Sequence, residues 1–154
     1  MLSTIVQGLL SALLLIETEG GGIWARNLPT FRVWEDLTLF HVYKVVVCVF
    51  VQILIHGDNF IFHTALHFLS EDAFYIILNP FLGLHKFSRD HVHQYRVWWW
   101  GYPKHMWAYT LLMLLTDPLA LGPALLLLLV GLAFADSFAP LHYAWYFRVH
   151  PHSA

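Results

Sequence analysis

Residues 59–84, NFIFHTALHFLSEDAFYIILNPFLGL, form a mostly apolar run of 26 residues that carries several ionisable side chains. Its length fits a helix that crosses a bilayer, which needs about 20 mostly apolar residues. His63, His67 and Glu71 recur every four residues, a spacing that places them on one face of a helix. The stretch therefore predicts a membrane-spanning helix with a polar face.

The composition of the whole chain points to the same class of protein. Hydrophobic residues make up 58% and charged residues only 12% of the 154 residues. Soluble domains carry about 25% charged residues, so much of the usual polar surface is missing. The formal net charge of -2 gives no reason to expect nucleic-acid binding. The one cysteine, Cys48, excludes an intrachain disulfide.

Four further apolar stretches are candidate spans, although the fourth span is apolar only from Met106 onward. Gly57-Asp58 and Asp117-Pro118 break the chain between neighbouring spans. We therefore expect an all-α, polytopic transmembrane helix bundle of about five spans, forming a single domain over residues 1–154. Besides 59–84, the candidate spans are residues 2–16, 39–56, 97–116 and 119–135.

The eight Lys and Arg residues fall on one side of this arrangement. Seven lie in residues 17–38, 85–105 and 137–154, and Lys44 lies one turn inside the second helix at the same end, within snorkelling reach. The only charged residues in the turns on the opposite side are Asp58 and Asp117. The positive-inside rule then predicts a multi-pass protein of the cell membrane with its N-terminus outside. The alternative is chance segregation, because the basic loops are also the long ones.

The predicted cytoplasmic loop at residues 85–105 is both basic and aromatic. Its cations can contact anionic headgroups, and its tryptophans can lie at the interface between membrane and water. We therefore expect membrane lipids, and anionic headgroups in particular, as partners of this loop. The residues concerned are Lys86, Arg89, Arg96, Lys104 and Trp98–Trp100.

The polar face of the third span could support two kinds of chemistry. Two imidazoles four residues apart, His63 and His67, can chelate a divalent transition metal such as Fe or Zn, and Glu71 can add an oxygen ligand. Glu71 and Asp72 lie near the middle of the span, where a carboxylate is costly, and could instead act as catalytic acid and base. A third interpretation is that these groups only form hydrogen bonds to other helices.

The second helix carries a matching polar stripe, which consists of His41, Lys44, Cys48 and Gln52. A tight turn between the two helices predicts that Gln52 and His56 lie level with His63 and His67. Cys48 is expected near the depth of Glu71. For Lys44 snorkelling is the favoured interpretation, and Cys48 is interpreted as a small buried hydrophobe.

Three resemblances bear on function. The HTALH sequence of His63–His67 is similar to one element of membrane fatty-acid hydroxylases, sterol desaturases and acyl desaturases, but the HxxHH boxes of those families are absent, so no ligand assignment follows. The blocks EGGGIWARNLPTFR, FHVYK and SEDAFYIILNPFLGLHKF resemble small prokaryotic multi-spanning membrane proteins without an established activity, over about residues 15–105. Glu71-Asp72 before Phe74 is similar to the acidic helices of membrane isoprenoid cyclases, which implies a protonated carboxyl acting on an alkene.

Three functions remain open from the sequence. The first is a membrane enzyme acting on a lipid or other apolar substrate, with His63, His67, Glu71 and Asp72 as a metal or acid–base site. The second is a haem- or pigment-binding subunit, with axial ligands drawn from histidines such as His41 and His56. The third is a non-enzymatic scaffold subunit, in a homo- or hetero-oligomer, whose polar stripes join helices.

Overall fold

A computed structural model of the chain describes residues 1–19, 32–34, 37–83, 88 and 97–151. It is built mainly from helices, which confirms the all-α prediction. The helices are α1 (Leu2–Glu19), α2 (Leu39–His56), α3 (Phe60–Leu78), α4 (Lys104–Thr116) and α5 (Pro118–Val149), with a 3₁₀ turn at Gly57–Asn59. Two short antiparallel hairpins pair β1 (Arg32–Trp34) with β2 (Leu37–Thr38), and β3 (Trp98–Trp99) with β4 (Tyr102–Pro103).

Two helical stretches of the described chain, 39–78 and 118–149, are long and apolar enough to cross a membrane. The predicted number of about five spans is therefore not reached. The apolar helix Leu2–Thr18 falls short of the required length, and the 13 residues of α4 extend only about 20 Å. The 39–78 stretch is one of these two candidate spans, although the Gly57–Asn59 turn divides it into α2 and α3 and reverses the direction of the chain.

Several helix boundaries also differ from the prediction, and the first helix continues to Glu19 instead of ending at residue 16. The third helix ends at Leu78 instead of continuing to residue 84, because Asn79 adopts an extended backbone before Pro80. The fourth begins at Lys104, since residues 98–103 form the second hairpin. The fifth continues past residue 135 to Val149 and includes two internal prolines. The second helix has the predicted bounds, 39–56.

The central helix of the bundle is α3, which is buried along most of its length. Helix α2 runs antiparallel to it, because Lys44 contacts Glu71 near one end while His56 stacks on His63 at the other. Helix α1 runs parallel to α3: the Thr4 hydroxyl bonds to His63. Farther along both of these helices, Ser11 bonds to Glu71.

The last two helices continue this alternation of direction. Helix α4 is antiparallel to α3, because His105 contacts Asp72 while the later residue Tyr109 stacks on the earlier residue Phe68. Helix α5 is parallel to α3: Gly131 lies against Phe74, and the Tyr143 hydroxyl donates to the Ile77 carbonyl. The five helices therefore alternate in direction along the chain.

The outward surfaces of α2 and α5 are apolar, whereas the most polar helix lies inside. Large apolar side chains are exposed on both helices, as expected where the helices face lipid. This distribution agrees with a membrane protein. The most exposed of these side chains include Tyr43, Val46, Phe50 and Leu54 on α2, and Leu119, Leu126, Val130, Phe134 and Leu141 on α5.

Candidate functional site

The four ionisable residues predicted on the third span are all buried in the bundle. His63 and His67 are each 8% exposed, Glu71 is 2% exposed and Asp72 is 9% exposed. Most of the other residues of α3 are apolar, so these groups have little access to water. Their charges and polar atoms must therefore be satisfied by neighbouring helices, by bound water or by a ligand.

Glu71 is held by residues of three helices. One carboxylate oxygen forms an ion pair with Lys44 of α2. The other accepts a hydrogen bond of 2.5 Å from the Ser11 hydroxyl of α1 and lies 3.5 Å from Nε2 of His67. A buried carboxylate without such a partner would be costly, and Lys44 supplies the compensating cation. The prediction that Lys44 snorkels to the membrane surface is therefore wrong.

A glycine allows the close approach of α1 and α3 that brings Ser11 to Glu71. A Cβ atom built on Gly8 would lie 2.7 Å from the Ser70 Cβ and 3.0 Å from the Glu71 backbone nitrogen. No side chain fits at these distances without moving one helix. Because Ser11 lies three residues after Gly8, on the same side of α1, its short hydroxyl reaches the carboxylate directly.

A second group of polar side chains surrounds His63, nearer the Gly57–Asn59 turn. The Thr4 hydroxyl lies 2.7 Å from Nδ1 of His63 and 3.4 Å from Nε2 of His56. The two imidazole rings stack in parallel, with centroids 3.5 Å apart. His56 and His63 therefore lie level, as predicted. His41 does not join them, because 15 residues of helix separate it from His56 by about 22 Å.

Asp72 turns toward α4 instead of α1 and α2. Its Oδ2 lies 3.1 Å from Nε2 of His105, whose side chain is 34% exposed. The His105 ring also contacts Tyr109, which stacks on Phe68. Two consecutive acids on α3 thus have separate partners, and only Asp72 connects to a partly exposed histidine.

Between the His63 and Glu71 groups, an amide pair joins α1 to α2. The Gln52 side-chain nitrogen donates to Oε1 of Gln7 at 2.8 Å. Three buried polar atoms of this region have no protein hydrogen-bond partner among the described residues: Oε1 of Gln52, Oγ1 of Thr64 and Nδ1 of His67. Such atoms are uncommon in folded proteins and indicate contact with water or a ligand.

The residues predicted as metal ligands do not form a metal site in the described parts of the chain. No group of three His, Cys, Asp or Glu residues in the described parts of the chain could hold a metal ion. Nδ1 of His63 bonds to Thr4, and the Glu71 carboxylate contacts Lys44 and Ser11.

Several residues of the site were not predicted. Thr4, Gln7 and Ser11 form a polar stripe with helical spacing on the first helix, a signal that was present in the sequence. The partnership of His105 with Asp72 had no such signal, because it depends on how α4 docks. At the far end of α1, Glu17 lies 3.1 Å from His150 of α5. Lys86, Arg89, Arg96 and the histidines at 85, 91, 93 and 152 lie outside the described residues.

The predicted aromatic segment folds as the β3–β4 hairpin next to the start of α4. Trp100, at its turn, is 86% exposed and has a φ of 47°, and Gly101 beside it has a φ of 82°. The Lys104 ammonium lies 5.2 Å from the centre of the Trp99 ring. The hairpin thus places a cation beside exposed indole rings.

No family model, curated protein or solved structure matches the chain. The residues around Glu71 and the apolar surface of the bundle therefore carry the functional interpretation on their own.

Proposed function

We propose that this chain is a multi-pass protein of the cell membrane with an acid–base centre inside the bilayer, which transfers a proton to or from a lipid or another apolar substrate. The observation that carries the proposal is the buried cluster of Lys44, Glu71, His67 and Ser11 within a bundle whose outer surface is apolar. Ionisable residues at such positions usually have a function, because each one is costly to keep there.

The alternating directions of the five helices support a topology with the N-terminus outside. The turns at Gly57–Asn59 and Asp117 lie at one end of the bundle and contain no Lys or Arg. Arg148, near the end of α5, lies at the opposite end. With the basic end in the cytoplasm, the arrangement obeys the positive-inside rule.

The arrangement of Glu71 and His67 supports proton transfer. Glu71 faces Nε2 of His67, which favours the tautomer with its proton on that nitrogen. Nδ1 is then the basic nitrogen, and it has no hydrogen-bond partner among the described residues. In this proposal His67 exchanges the proton with the substrate, Glu71 orients and stabilises the ring, and Lys44 keeps Glu71 anionic. Asp72 and His105 form a second acid–base pair beside it.

An apolar substrate could reach the cluster from the lipid between α2 and α4. Phe68 of α3 is partly buried there, with the Lys44 ammonium 5.9 Å from its ring centre on one side and Tyr109 stacked on the other. The Lys44 side chain is 19% exposed, so the ion pair extends to the surface of the bundle. The exposed Trp100 and the Lys104–Trp99 contact suit anionic headgroups near the start of α4.

Exchange of deuterium into lipid tests the proposal and identifies the substrate class in the same measurement. The purified protein is incubated in D₂O with a lipid extract from the expression host, and the lipids are analysed by mass spectrometry. We expect one lipid class to gain carbon-bound deuterium or to change structure. His67→Ala and Glu71→Gln should slow this change by about 100-fold or more, the usual contribution of acid–base catalysis.

The control is His142→Ala, which removes another histidine with a buried ring nitrogen that has no hydrogen-bond partner among the described residues, but on α5, away from Glu71. It should react at the rate of the unmodified protein. A wild-type protein that changes no lipid, or a His67→Ala variant that works equally well, would refute the proposed activity.

A second candidate function is a scaffold in which the polar side chains only join helices. The Gln7–Gln52 amide pair favours it, because neither amide titrates, yet the buried Gln52 and the half-buried Gln7 are bonded to each other between α1 and α2. This function predicts that Glu71→Gln lowers the stability of the protein in detergent while the wild-type protein changes no lipid.

A further inference from the structure

Three hydrogen-bonded groups follow one another along α3. The outer group is Thr4, His56 and His63; the central group is Ser11, Lys44, His67 and Glu71; the inner group is Asp72 and His105. We propose that these groups form a proton path through the bundle. This activity uses the same Glu71 as the proposed function but requires no lipid substrate.

The outer group connects the turn at Gly57–Asn59 to the interior. His56 is the last residue of α2 and is only partly buried, so it can exchange protons with water at that end. The Thr4 hydroxyl lies within hydrogen-bond distance of both His56 Nε2 and His63 Nδ1. A hydroxyl can accept a proton from one ring as it donates its own to the other, so one O–H bond forms while another breaks.

The step from the outer to the central group covers one turn of α3, about 6 Å along the axis from His63 to His67. Three buried polar atoms without protein partners among the described residues lie here: Nδ1 of His67, Oγ1 of Thr64 and Oε1 of Gln52. Water held by such atoms would link the two imidazoles. The proton then passes across the His67 ring, entering at one nitrogen and leaving at the other toward Glu71.

The inner group connects the path to the opposite side. Glu71 faces α1 and α2, whereas the next residue, Asp72, faces α4 and contacts the partly exposed His105. The path therefore has two branches, one ending at Glu71 and the other at Asp72, and the proposed junction lies between these consecutive residues. Lys44 lies at this junction, and its positive charge opposes the accumulation of protons on Glu71. Protons would thus cross the junction one at a time.

Proton uptake by liposomes tests this path. The full-length protein is reconstituted into vesicles of one defined synthetic phospholipid that contain a pH-sensitive dye, and a potassium gradient with valinomycin drives protons inward. We expect uptake faster than in protein-free vesicles. Glu71→Gln, Asp72→Asn and His63→Gln should each reduce it to the protein-free rate.

His63→Gln separates proton transfer from structure, because the amide can still bond to Thr4 but cannot pass a proton through a ring. His142→Ala on α5 is the control and should conduct like the unmodified protein. Each variant is first required to keep its helical circular dichroism spectrum and its elution volume in detergent.

Uptake by the wild-type protein at the protein-free rate, or undiminished uptake by His63→Gln and Glu71→Gln, would overturn the path. The deuterium assay has no proton gradient, and the vesicle assay contains one defined lipid. A negative result in one assay therefore refutes only the proposal that this assay tests. A protein that conducts protons but modifies no lipid retains the path and loses the enzymatic function.

Discussion

At the scale of single residues, the most informative pair is Lys44 and Glu71. Either charge alone would be expensive inside an apolar bundle, and together they compensate each other. Ser11 and His67 add hydrogen-bonding contacts to the second carboxylate oxygen, so the carboxylate has partners on both sides. Removal of one charge should therefore cost more than removal of both.

Lys44→Met tests this coupling. The variant leaves the buried Glu71 carboxylate without its cation, which typically costs about 3–5 kcal/mol in a buried pair. We expect a lower midpoint of unfolding in detergent, followed by circular dichroism during heating or titration with a denaturing detergent. The double variant Lys44→Met/Glu71→Leu should recover much of the loss, because no unpaired charge remains. Equal stability of the single and double variants would show that the pair is not coupled.

At the scale of helices, the contact between α1 and α3 determines where the site forms. Gly8 permits this contact, and its absent side chain leaves room for Ser70 and for the backbone near Glu71. Thr4, Gln7 and Ser11 then point toward α2 and α3 and supply hydrogen bonds at three levels. A shift of α1 would disturb all three levels at once.

Gly8→Ala should destabilise the protein by about 1–3 kcal/mol, the usual cost of overpacking, because its Cβ would meet Ser70 at 2.7 Å. Gly122→Ala in α5 is the matched control, since nothing lies within 4 Å of the position where its Cβ would be. Helix propensity alone should leave Gly122→Ala as stable as the wild type or slightly more stable. Equal losses in the two variants, measured by thermal unfolding in detergent, would contradict a close contact at Gly8.

At the scale of the whole molecule, the orientation in the membrane decides which end of the polar groups faces the cytoplasm. The Gly57–Asn59 turn, with Asp58, lies at one end of the bundle, and the end of α5 lies at the other. The positive-inside rule places the Gly57–Asn59 turn outside the cell and the end of α5 in the cytoplasm.

Labelling with a membrane-impermeant maleimide tests this orientation in intact cells. In a Cys48→Ala background, Asp58→Cys should react directly because the residue is exposed at the outer turn. Pro151→Cys, exposed just after α5, should react only after permeabilisation. The reverse pattern would show that the topology is inverted. Labelling of both positions in intact cells would show that they do not lie on opposite sides of the membrane.

Local sequence patterns were enough to predict the class of fold, most helix positions and the burial of the central acids. These properties depend on local patterns: apolar length, the break at Gly57-Asp58, and the four-residue spacing of His63, His67 and Glu71. The hydropathy of the sequence, however, predicted about five membrane spans, and only two helical stretches of the described chain are long and apolar enough. It could not show that residues 98–103 form a hairpin or that α5 continues to Val149.

Only the tertiary structure decided the partners of the site. Ser11 and Glu71 are 60 residues apart, and His105 meets Asp72 only because α4 packs antiparallel to α3. For Lys44, the sequence allowed the long side chain to reach either the membrane surface or the interior. The position of the Glu71 carboxylate decides between them, since a buried anion within reach stabilises the ammonium inside the bundle. Helical periodicity fixes which residues share a face, but the packing of other helices against that face determines what they contact.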